Sequence, residues 1–459
     1  MELLLVGSVA LLAVLIALAA VAGLFWRLEL GLFGLIFFLP FERLPSFDIA
    51  GVTLKINHFF GSLVLLVWLL AVLVAKRPIK ANPLVLPTLL FLTSLALSVV
   101  VAQDGQRAIF TLAATVFSLA LSLLVPQLLT RVEDLKPLLA VLGVTTLIAV
   151  LFGLYQFLGD LAGLPVRLTG LIPGYTKIVF GFPRIQAFSQ EPLYFGNFLL
   201  LPLSLGVALL TLPKLPWRRW LLMIGLTLSI LAFIFTLSRG AFLGLAASLL
   251  ILLLSLGQKL LQPKLLLISF VAMVLIGSAS VGILSVARPD ALRLFSQHVT
   301  IRDFNQGDST VGRLAGWYQA ADLWQTSPWL GVGLGNFGPA TLNYPADQPA
   351  HGWPIVNNEY FELLAETGLI GLMAFLILMT TLIGRSLLLL RHLPRGTLLH
   401  AALIGVTAAI VGVLVQYNFF STLYINPIWI TVGLLAGLQN LAAAEIRVPK
   451  HLKAKGDGS

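Results

Sequence analysis

The chain has 459 residues, of which 58% are hydrophobic and only 10% are charged, and its mean hydropathy is +0.98. Soluble proteins are about 25% charged, so this composition excludes an ordinary soluble globular protein. Hydrophobic content at this level predicts an all-α polytopic membrane protein, since lipid leaves the backbone few other ways to satisfy its hydrogen bonds. One bundle of spanning helices can use the whole length, so we expect a single structural domain.

The absence of cysteine and the distribution of charge exclude further classes of function. The chain contains no cysteine, which rules out disulfides, thiolate metal sites and cysteine nucleophiles. Its net charge of +10 does not indicate nucleic-acid binding, because lysine and arginine lie mainly in short segments between apolar runs. We therefore attribute the basic charge to membrane topology.

Apolar runs of about 20 residues can cross a bilayer core of roughly 30 Å. The first run starts almost at Met1 without a positively charged start or a cleavage site, so it resembles a retained helix rather than a signal peptide. The run at 28–41 is short. It is either a span, which gives thirteen transmembrane helices, or a half-helix or interfacial segment, which gives twelve. The predicted spans are 2–25, 28–41, 58–75, 84–102, 108–126, 137–158, 190–212, 218–236, 240–257, 264–287, 359–383, 398–416 and 425–441.

Orientation follows from the distribution of lysine and arginine, which favours the cytoplasmic side. Placing the basic loop from Lys76 to Lys80 in the cytoplasm and alternating from there assigns 18 of the 29 lysines and arginines to that side. The C-terminus is then cytoplasmic, and the N-terminus faces out with thirteen spans or in with twelve. The pattern predicts a multi-pass membrane protein whose active face is the non-cytoplasmic one.

Four regions follow from this topology. We predict an N-terminal transmembrane bundle over 1–287 with a short external loop at 160–189 and a long external loop over 288–358. C-terminal transmembrane helices at 359–441 and a basic cytoplasmic tail at 442–459 complete the chain. The two external loops hold an unusual share of the polar and aromatic residues, so function is expected there.

The long loop contains a predicted surface helix. Asp308, Ser309 and Thr310 supply capping side chains, and helical periodicity continues to Gln325, before Pro328 prevents continuation. Its aromatic residues favour a position at the membrane interface.

Three arginines on the external side are candidate anion ligands. Arg239 lies between two apolar runs with almost no loop, where burying an arginine costs about 2.5–3.5 kcal/mol, so it either faces a polar site or reaches the headgroups. Arg313 lies in the first turn of the surface helix, where the dipole disfavours a cation. It either shares an anion with Arg239 or pairs with Asp303 or Asp308. Arg184, just before the seventh span, is a third candidate.

Carboxylates at the outer ends of two spans are candidates for proton transfer. Glu191 is followed by Pro192, which a first helical turn tolerates, so Glu191 is either a helix-start anion or a general base. Glu359 begins the eleventh span, and Glu362 and Glu366 follow on one helix face. They are functional or pair with loop arginines.

One histidine and one glycine-rich motif in the long external loop are further candidates. His351 alone among the external histidines lies beside other polar candidates, and it is either functional or an ordinary surface residue. The segment 333–338 (GLGNFG) matches the GxGxxG pattern but lacks the preceding strand that a dinucleotide site needs. We interpret it as a turn that folds the loop back onto the membrane.

Several of these motifs together resemble the O-antigen ligase and Wzy-type polysaccharide polymerase superfamily. The resemblance covers roughly residues 180–380 and includes Ser238-Arg239-Gly240. Its further segments are 313–317 (RLAGW), 327–337 (SPWLGVGLGNF), 357–360 (NNEY) and 364–372 (LAETGLIGL).

The resemblance implies a membrane glycosyltransferase without cofactor or metal. Such an enzyme lies in the bacterial inner membrane and passes a glycan from undecaprenyl diphosphate to an acceptor sugar on the periplasmic side, so the loop over 288–358 would be periplasmic. Arg239 and Arg313, with Arg184 as a weaker addition, would bind the diphosphate. The implied partners are the lipid-linked donor, a glycan or lipid A-core acceptor and the bilayer, with a flippase and a chain-length regulator as candidate protein partners.

One position departs from the family pattern. The ligases have a catalytic histidine followed by asparagine before the eleventh span, whereas this chain has Asn357 followed by Asn358. Asparagine cannot accept a proton as imidazole does. Glu191, Glu359 and His351 are the candidate replacements, in that order. The Ser-Gln-Glu-Pro element at 189–192 favours an O-antigen or exopolysaccharide polymerase over a ligase.

Two other classes of function are compatible with the sequence. One is a transporter, because a relative in the superfamily has been described as a bicarbonate carrier, although few ionisable residues lie in the predicted spans. The other is an assembly subunit without catalysis, which the asparagine at 357 makes plausible.

Overall fold

The computed structural model describes residues 21–43, 46–49, 52–176, 182–260, 308–342 and 353–447. Most of the predicted span 2–25, all of the span 264–287, the first part of the long loop and His351 lie outside the described residues. The predicted division into four regions remains a prediction.

The described residues are almost entirely helical, with one β-hairpin that the sequence did not predict. In the hairpin, β1 (Ser46–Ile49) pairs antiparallel with β2 (Val52–Lys55), and Ser46 lies opposite Lys55. The first helices are α1 (Glu29–Phe37), α2 (Ile56–Leu73), α3 (Val85–Val99), α4 (Gly105–Leu128), α5 (Leu135–Leu161) and α6 (Val166–Thr169). They are followed by α7 (Pro192–Leu210), α8 (Arg219–Phe235), α9 (Arg239–Leu260), α10 (Asp308–Thr326), α11 (Phe337–Thr341), α12 (Glu359–His392), α13 (Leu398–Gln416) and α14 (Asn426–Arg447).

Eight helices among the described residues are long and apolar enough to cross a membrane, and α3 and α8 are shorter apolar helices. This confirms the predicted all-α polytopic membrane protein. The predicted span 28–41 corresponds to α1, which has 9 residues. At 1.5 Å per residue α1 is about 13 Å long, too short for a bilayer core of roughly 30 Å. The structure therefore agrees with the half-helix alternative.

Close helix packing holds the bundle together. Helix α9 packs against α7 and α13, α14 packs against α4, and α12 packs against α3. A Cβ atom at Gly244 of α9 would lie 2.8 Å from the backbone oxygen of Gly412 in α13. Small residues at such a crossing allow two backbones to approach, which is a common way for helices to associate in lipid.

Helix alternation separates two ends of the bundle. The first residues of α7, α9 and α12 lie at the end to which the sequence assigns the outside. At the opposite end, Arg27, Arg77, Lys80 and Arg131 line one cavity of about 440 Å³. The residues predicted as external and those predicted as cytoplasmic are thus segregated.

The predicted surface helix and the predicted glycine turn are both confirmed. Helix α10 ends at Thr326, before Pro328. The following turn lies against a kink in α12, where the N–H of Val332 donates to the Ala365 oxygen at 2.9 Å and the N–H of Gly333 donates to the Glu366 oxygen at 3.0 Å. The loop therefore returns to the membrane-spanning bundle through backbone contacts.

Candidate active site

Five of the seven sequence candidates line one cavity of about 350 Å³ at the predicted outer end. They are Arg184, Glu191, Arg239, Arg313 and Asn357. Segments far apart in the chain supply them, because the short turn between α8 and α9, the start of α7 and helix α10 all meet there. We call this the arginine cavity.

A strained turn presents Arg239 to the arginine cavity. Leu237 has φ +48°, a left-handed conformation that is a genuine outlier for a leucine. Such strain persists only where the surrounding structure imposes it, and it is concentrated at functional sites. Ser238 is buried, and Arg239 is the first residue of α9 with its side chain half-buried. The turn thus places Arg239 at the helix start, facing the cavity that it lines.

Arg184 is held by its backbone and its side chain. Its N–H donates to the Tyr175 oxygen at 2.9 Å, and its Nε donates to the Thr236 oxygen at 3.2 Å. The guanidinium lies 5.9 Å from the centre of the Tyr175 ring. Burial lowers the pKa of Arg184, Tyr175 and Glu191 act in the opposite direction, and the charges of Arg313 and Arg239 lower the pKa again.

Arg313 extends from α10 over the ring of Phe419, with 5.9 Å between guanidinium carbon and ring centre. Burial lowers the pKa of Arg313, and the charge of Arg239 adds to the effect. Three like charges therefore act on one another in one partly dehydrated cavity. An anion would relieve this repulsion, and guanidinium groups bind phosphate oxygens in a bidentate manner.

Glu191 provides a carboxyl group in the same cavity. It precedes α7 in extended conformation, with Pro192 as the first helical residue. The side chain remains exposed to the cavity, yet surrounding protein limits its hydration enough to raise its pKa, and Arg184 acts in the opposite direction. A carboxyl group with a raised pKa is suited to accepting a proton near neutral pH.

Glu42 belongs to the same neighbourhood and was not among the sequence candidates. It is 7% exposed, and the next residue is tied to the 188–191 segment because the N–H of Arg43 donates to the Phe188 oxygen at 2.8 Å. Burial raises the pKa of Glu42 to about 7, Lys55 lowers it, and Glu191 raises it. Its position directly after the short run 28–41 was the available signal.

The two asparagines before α12 have different roles. Asn357 has φ +56°, lines the arginine cavity, and donates its N–H to the Ser421 hydroxyl at 3.1 Å. Asn358 caps α12, because its Oδ1 accepts from the N–H groups of Tyr360 at 3.0 Å and Phe361 at 3.2 Å. The second asparagine of the motif is therefore structural.

Glu359 does not line the arginine cavity. It is 2% exposed and lines a second cavity with Glu362 and Glu366. Arg107 and Tyr424 of this second cavity were missed by sequence reasoning, since they lie in segments that gave no motif. In the part of the chain that the structure describes, no group of three or more histidines, aspartates and glutamates is arranged to hold a metal ion.

A family model matches part of the chain. Residues 224–376, about a third of the chain, match the family model described as O-antigen ligase. The matched segment includes Arg239, Arg313 and Asn357, whereas Arg184 and Glu191 lie before it. No curated protein matches the chain. The family match confirms the resemblance of this membrane protein to the O-antigen ligase and Wzy-type polymerase superfamily.

Proposed function

We propose that this protein is a membrane glycosyltransferase that polymerises oligosaccharide carried on undecaprenyl diphosphate, with ligation to a lipid A-core acceptor as the second candidate. The observation that supports this most is the meeting of Arg184, Arg239 and Arg313 with Glu191 in one cavity. Its volume of about 350 Å³ is within the usual range for ligand sites.

The chemistry assigns each group a task. The acceptor sugar hydroxyl gives its proton to the Glu191 carboxylate while its oxygen attacks the anomeric carbon of the donor. The bond between that carbon and the phosphate oxygen breaks, and undecaprenyl diphosphate leaves with the electron pair. The three guanidinium groups stabilise the negative charge that develops on the leaving group. Because these cations are fixed in the protein, the proposed reaction needs no metal ion.

Asn357 has a binding task in this proposal. Its side chain cannot act as the base, but an amide can hydrogen-bond a sugar hydroxyl or a phosphate oxygen at the cavity wall. The proposed location is the bacterial inner membrane with the arginine cavity on the periplasmic side. In support, the cavity at the opposite end is lined by four lysines and arginines beside two carboxylates, which fits the cytoplasmic preference for basic residues.

Purified protein incubated with undecaprenyl diphosphate oligosaccharide tests the proposal. A ladder of products indicates a polymerase, and a single transfer indicates a ligase. Arg239→Ala and Arg313→Ala should each lower the rate at least 100-fold, because loss of one donor to a developing charge costs about 10²–10³ in rate. Addition of a chelator should leave the product unchanged.

Arg167→Ala is the matched control. Arg167 lies in the same external loop as Arg184 but is exposed and does not line the arginine cavity. Its variant should retain wild-type product. Normal product from both cavity variants would contradict the proposal, and uptake of labelled bicarbonate into proteoliposomes without donor would favour the transporter instead.

A further inference from the structure

The second cavity adjoins the arginine cavity. It has a volume of about 110 Å³, and Ile355 and Ser421 line both cavities. A molecule in the second cavity would therefore lie next to a molecule in the first. We call it the carboxylate cavity. Its polar lining is Arg107, Thr111, Glu359, Glu362, Glu366, Ser421, Thr422 and Tyr424.

The three carboxyl groups of the carboxylate cavity are not equivalent. Both oxygens of Glu366 accept backbone hydrogen bonds, from Gly335 at 2.7 Å and Phe337 at 2.9 Å. Glu362 accepts from the N–H of Val356 at 3.2 Å. Glu359, in contrast, has a buried oxygen, Oε2, that makes no hydrogen bond with any described residue.

An acceptor atom without a partner is costly to bury, and a native protein rarely contains one without a reason. Because Glu359 is 2% exposed and lines the carboxylate cavity, the natural partner is a hydrogen-bond donor inside that cavity. The unpaired oxygen therefore indicates a ligand that donates O–H or N–H groups.

The remaining lining narrows the class of ligand. Three glutamates disfavour an anion, so a phosphate group would not enter. A sugar is neutral, and each hydroxyl both donates and accepts, which suits carboxylates beside the guanidinium of Arg107 and the hydroxyl of Tyr424. Phe337 adds an apolar surface on which the C–H face of a sugar ring can pack.

We propose that the carboxylate cavity binds non-reacting hydroxyl groups of the acceptor sugar, with Glu359 Oε2 accepting one O–H. The reacting hydroxyl then points past Ser421 and Ile355 toward the donor in the arginine cavity. This inference rests on the proposed function, and it assigns Glu359, a candidate base from the sequence, to acceptor binding instead.

Separate binding measurements test the inference. The sugar probe is the fluorescently labelled repeat unit released from the lipid donor by mild acid, and the diphosphate probe is radiolabelled undecaprenyl diphosphate. Both are titrated against purified full-length protein. Glu359→Met, which removes the acceptor oxygens at similar length, should weaken sugar binding at least tenfold and leave diphosphate binding unchanged. Arg239→Ala should have the opposite pattern.

A second variant keeps the inference testable if Glu359→Met does not fold. Tyr424→Phe removes only a hydroxyl, at a residue that is 45% exposed, and it should weaken sugar binding several-fold. Tyr155→Phe is the matched control, because Tyr155 is 43% exposed and does not line the cavity. Its sugar affinity should equal that of the wild type.

The outcomes separate this inference from the proposed function. Unchanged sugar affinity in both Glu359→Met and Tyr424→Phe overturns the acceptor site, as does a wild-type protein that forms a product ladder but does not bind the sugar probe. Loss of diphosphate affinity in Tyr424→Phe also overturns it. A wild-type protein that binds the sugar but forms no product contradicts the proposed function alone.

Discussion

The side chain of Glu366 accepts a hydrogen bond of 2.7 Å from the backbone N–H of Gly335, which lies 31 residues earlier in the chain. The other oxygen of the carboxylate accepts from the N–H of Phe337 at 2.9 Å. One buried carboxylate thus fixes the glycine turn of the long loop to helix α12. Gly335 and Phe337 of this turn line the carboxylate cavity together with Glu366.

Glu366→Gln should destabilise the protein. The amide has one acceptor oxygen, so one backbone N–H loses its partner and faces an NH₂ group, at a cost of about 1–3 kcal/mol. Thermal unfolding of the purified protein in detergent measures the loss. Glu133→Gln is the control, because Glu133 is exposed at the opposite end of the bundle and should change stability by less than about 0.5 kcal/mol. Equal unfolding of both variants would argue against the anchoring role.

Gly368→Ala should also destabilise the protein, because α12 turns sharply at this residue. Gly368 has φ +64°, and an added Cβ would lie 2.3 Å from the backbone of Trp329. Strain and steric overlap together predict a loss of about 2 kcal/mol or more. Gly143→Ala in α5 is the matched control, since an added Cβ there meets nothing within 4 Å. Alanine should stabilise that helix by about 0.5–1 kcal/mol. A stable Gly368→Ala would mean that the kink is not required.

Much of the fold could be predicted from the sequence because membrane insertion depends on local hydropathy. Spans such as 398–416 correspond to α13 (Leu398–Gln416) without adjustment. Arg239 and Arg313 could be selected because a charge at the end of a span or in the first turn of a helix is unfavourable without a partner. The structure places both at one cavity with Arg184.

The remaining features of the fold and of the candidate site depend on tertiary contacts, which the periodicity of the sequence does not indicate. Arg107 donates to the Gly335 oxygen, 228 residues away, and no local pattern connects the two. Glu359 and Glu191 are both carboxylates at the start of a span, yet they line different cavities. Only the packing of the loop distinguishes them. The hairpin formed by β1 and β2 was missed because it lies between apolar runs, where a short external connection is the simplest expectation.

Glu42→Gln should remove part of the dependence of stability on pH. The pKa of Glu42 is raised from 4.5 to about 7 in the folded protein, so the folded state binds the proton more tightly than the unfolded state. Its contribution is fully present below pH 4.5 and is lost as pH rises through about 7, by about 3 kcal/mol at most. The variant should therefore unfold at a higher temperature than the wild type at pH 8. Parallel stability profiles from pH 4.5 to 8 would contradict the shifted pKa.

Asn357→Gly should retain most of the activity. Glycine keeps the positive φ of 56° at this position, and the lost amide is proposed to bind and not to transfer a proton. The rate should fall by less than about tenfold, since one neutral hydrogen bond contributes about 0.5–1.5 kcal/mol. Product formation at saturating donor measures it. A loss comparable to that of Arg239→Ala, with unchanged thermal unfolding, would give Asn357 a direct part in the chemistry.

Glu191→Gln should lower the transfer rate by about 10²–10⁴, the usual contribution of a general base. In the wild type, a base must be ionised, so the rate should fall as pH decreases through a pKa above 4.5, in line with the raised pKa of Glu191. The residual rate of the Glu191→Gln variant should not fall in this way as the pH decreases.

The same variant should also change the pH dependence of stability. Because the charge of Glu191 raises the pKa of Glu42, its removal should move the pH-dependent loss of stability to lower pH. If the rate of Glu191→Gln still fell at low pH as in the wild type, another group would be the general base. If the stability transition still moved, Glu191 and Glu42 would nevertheless be electrostatic neighbours, and the effect of Glu191 on the pKa of Glu42 would stand without a role as base.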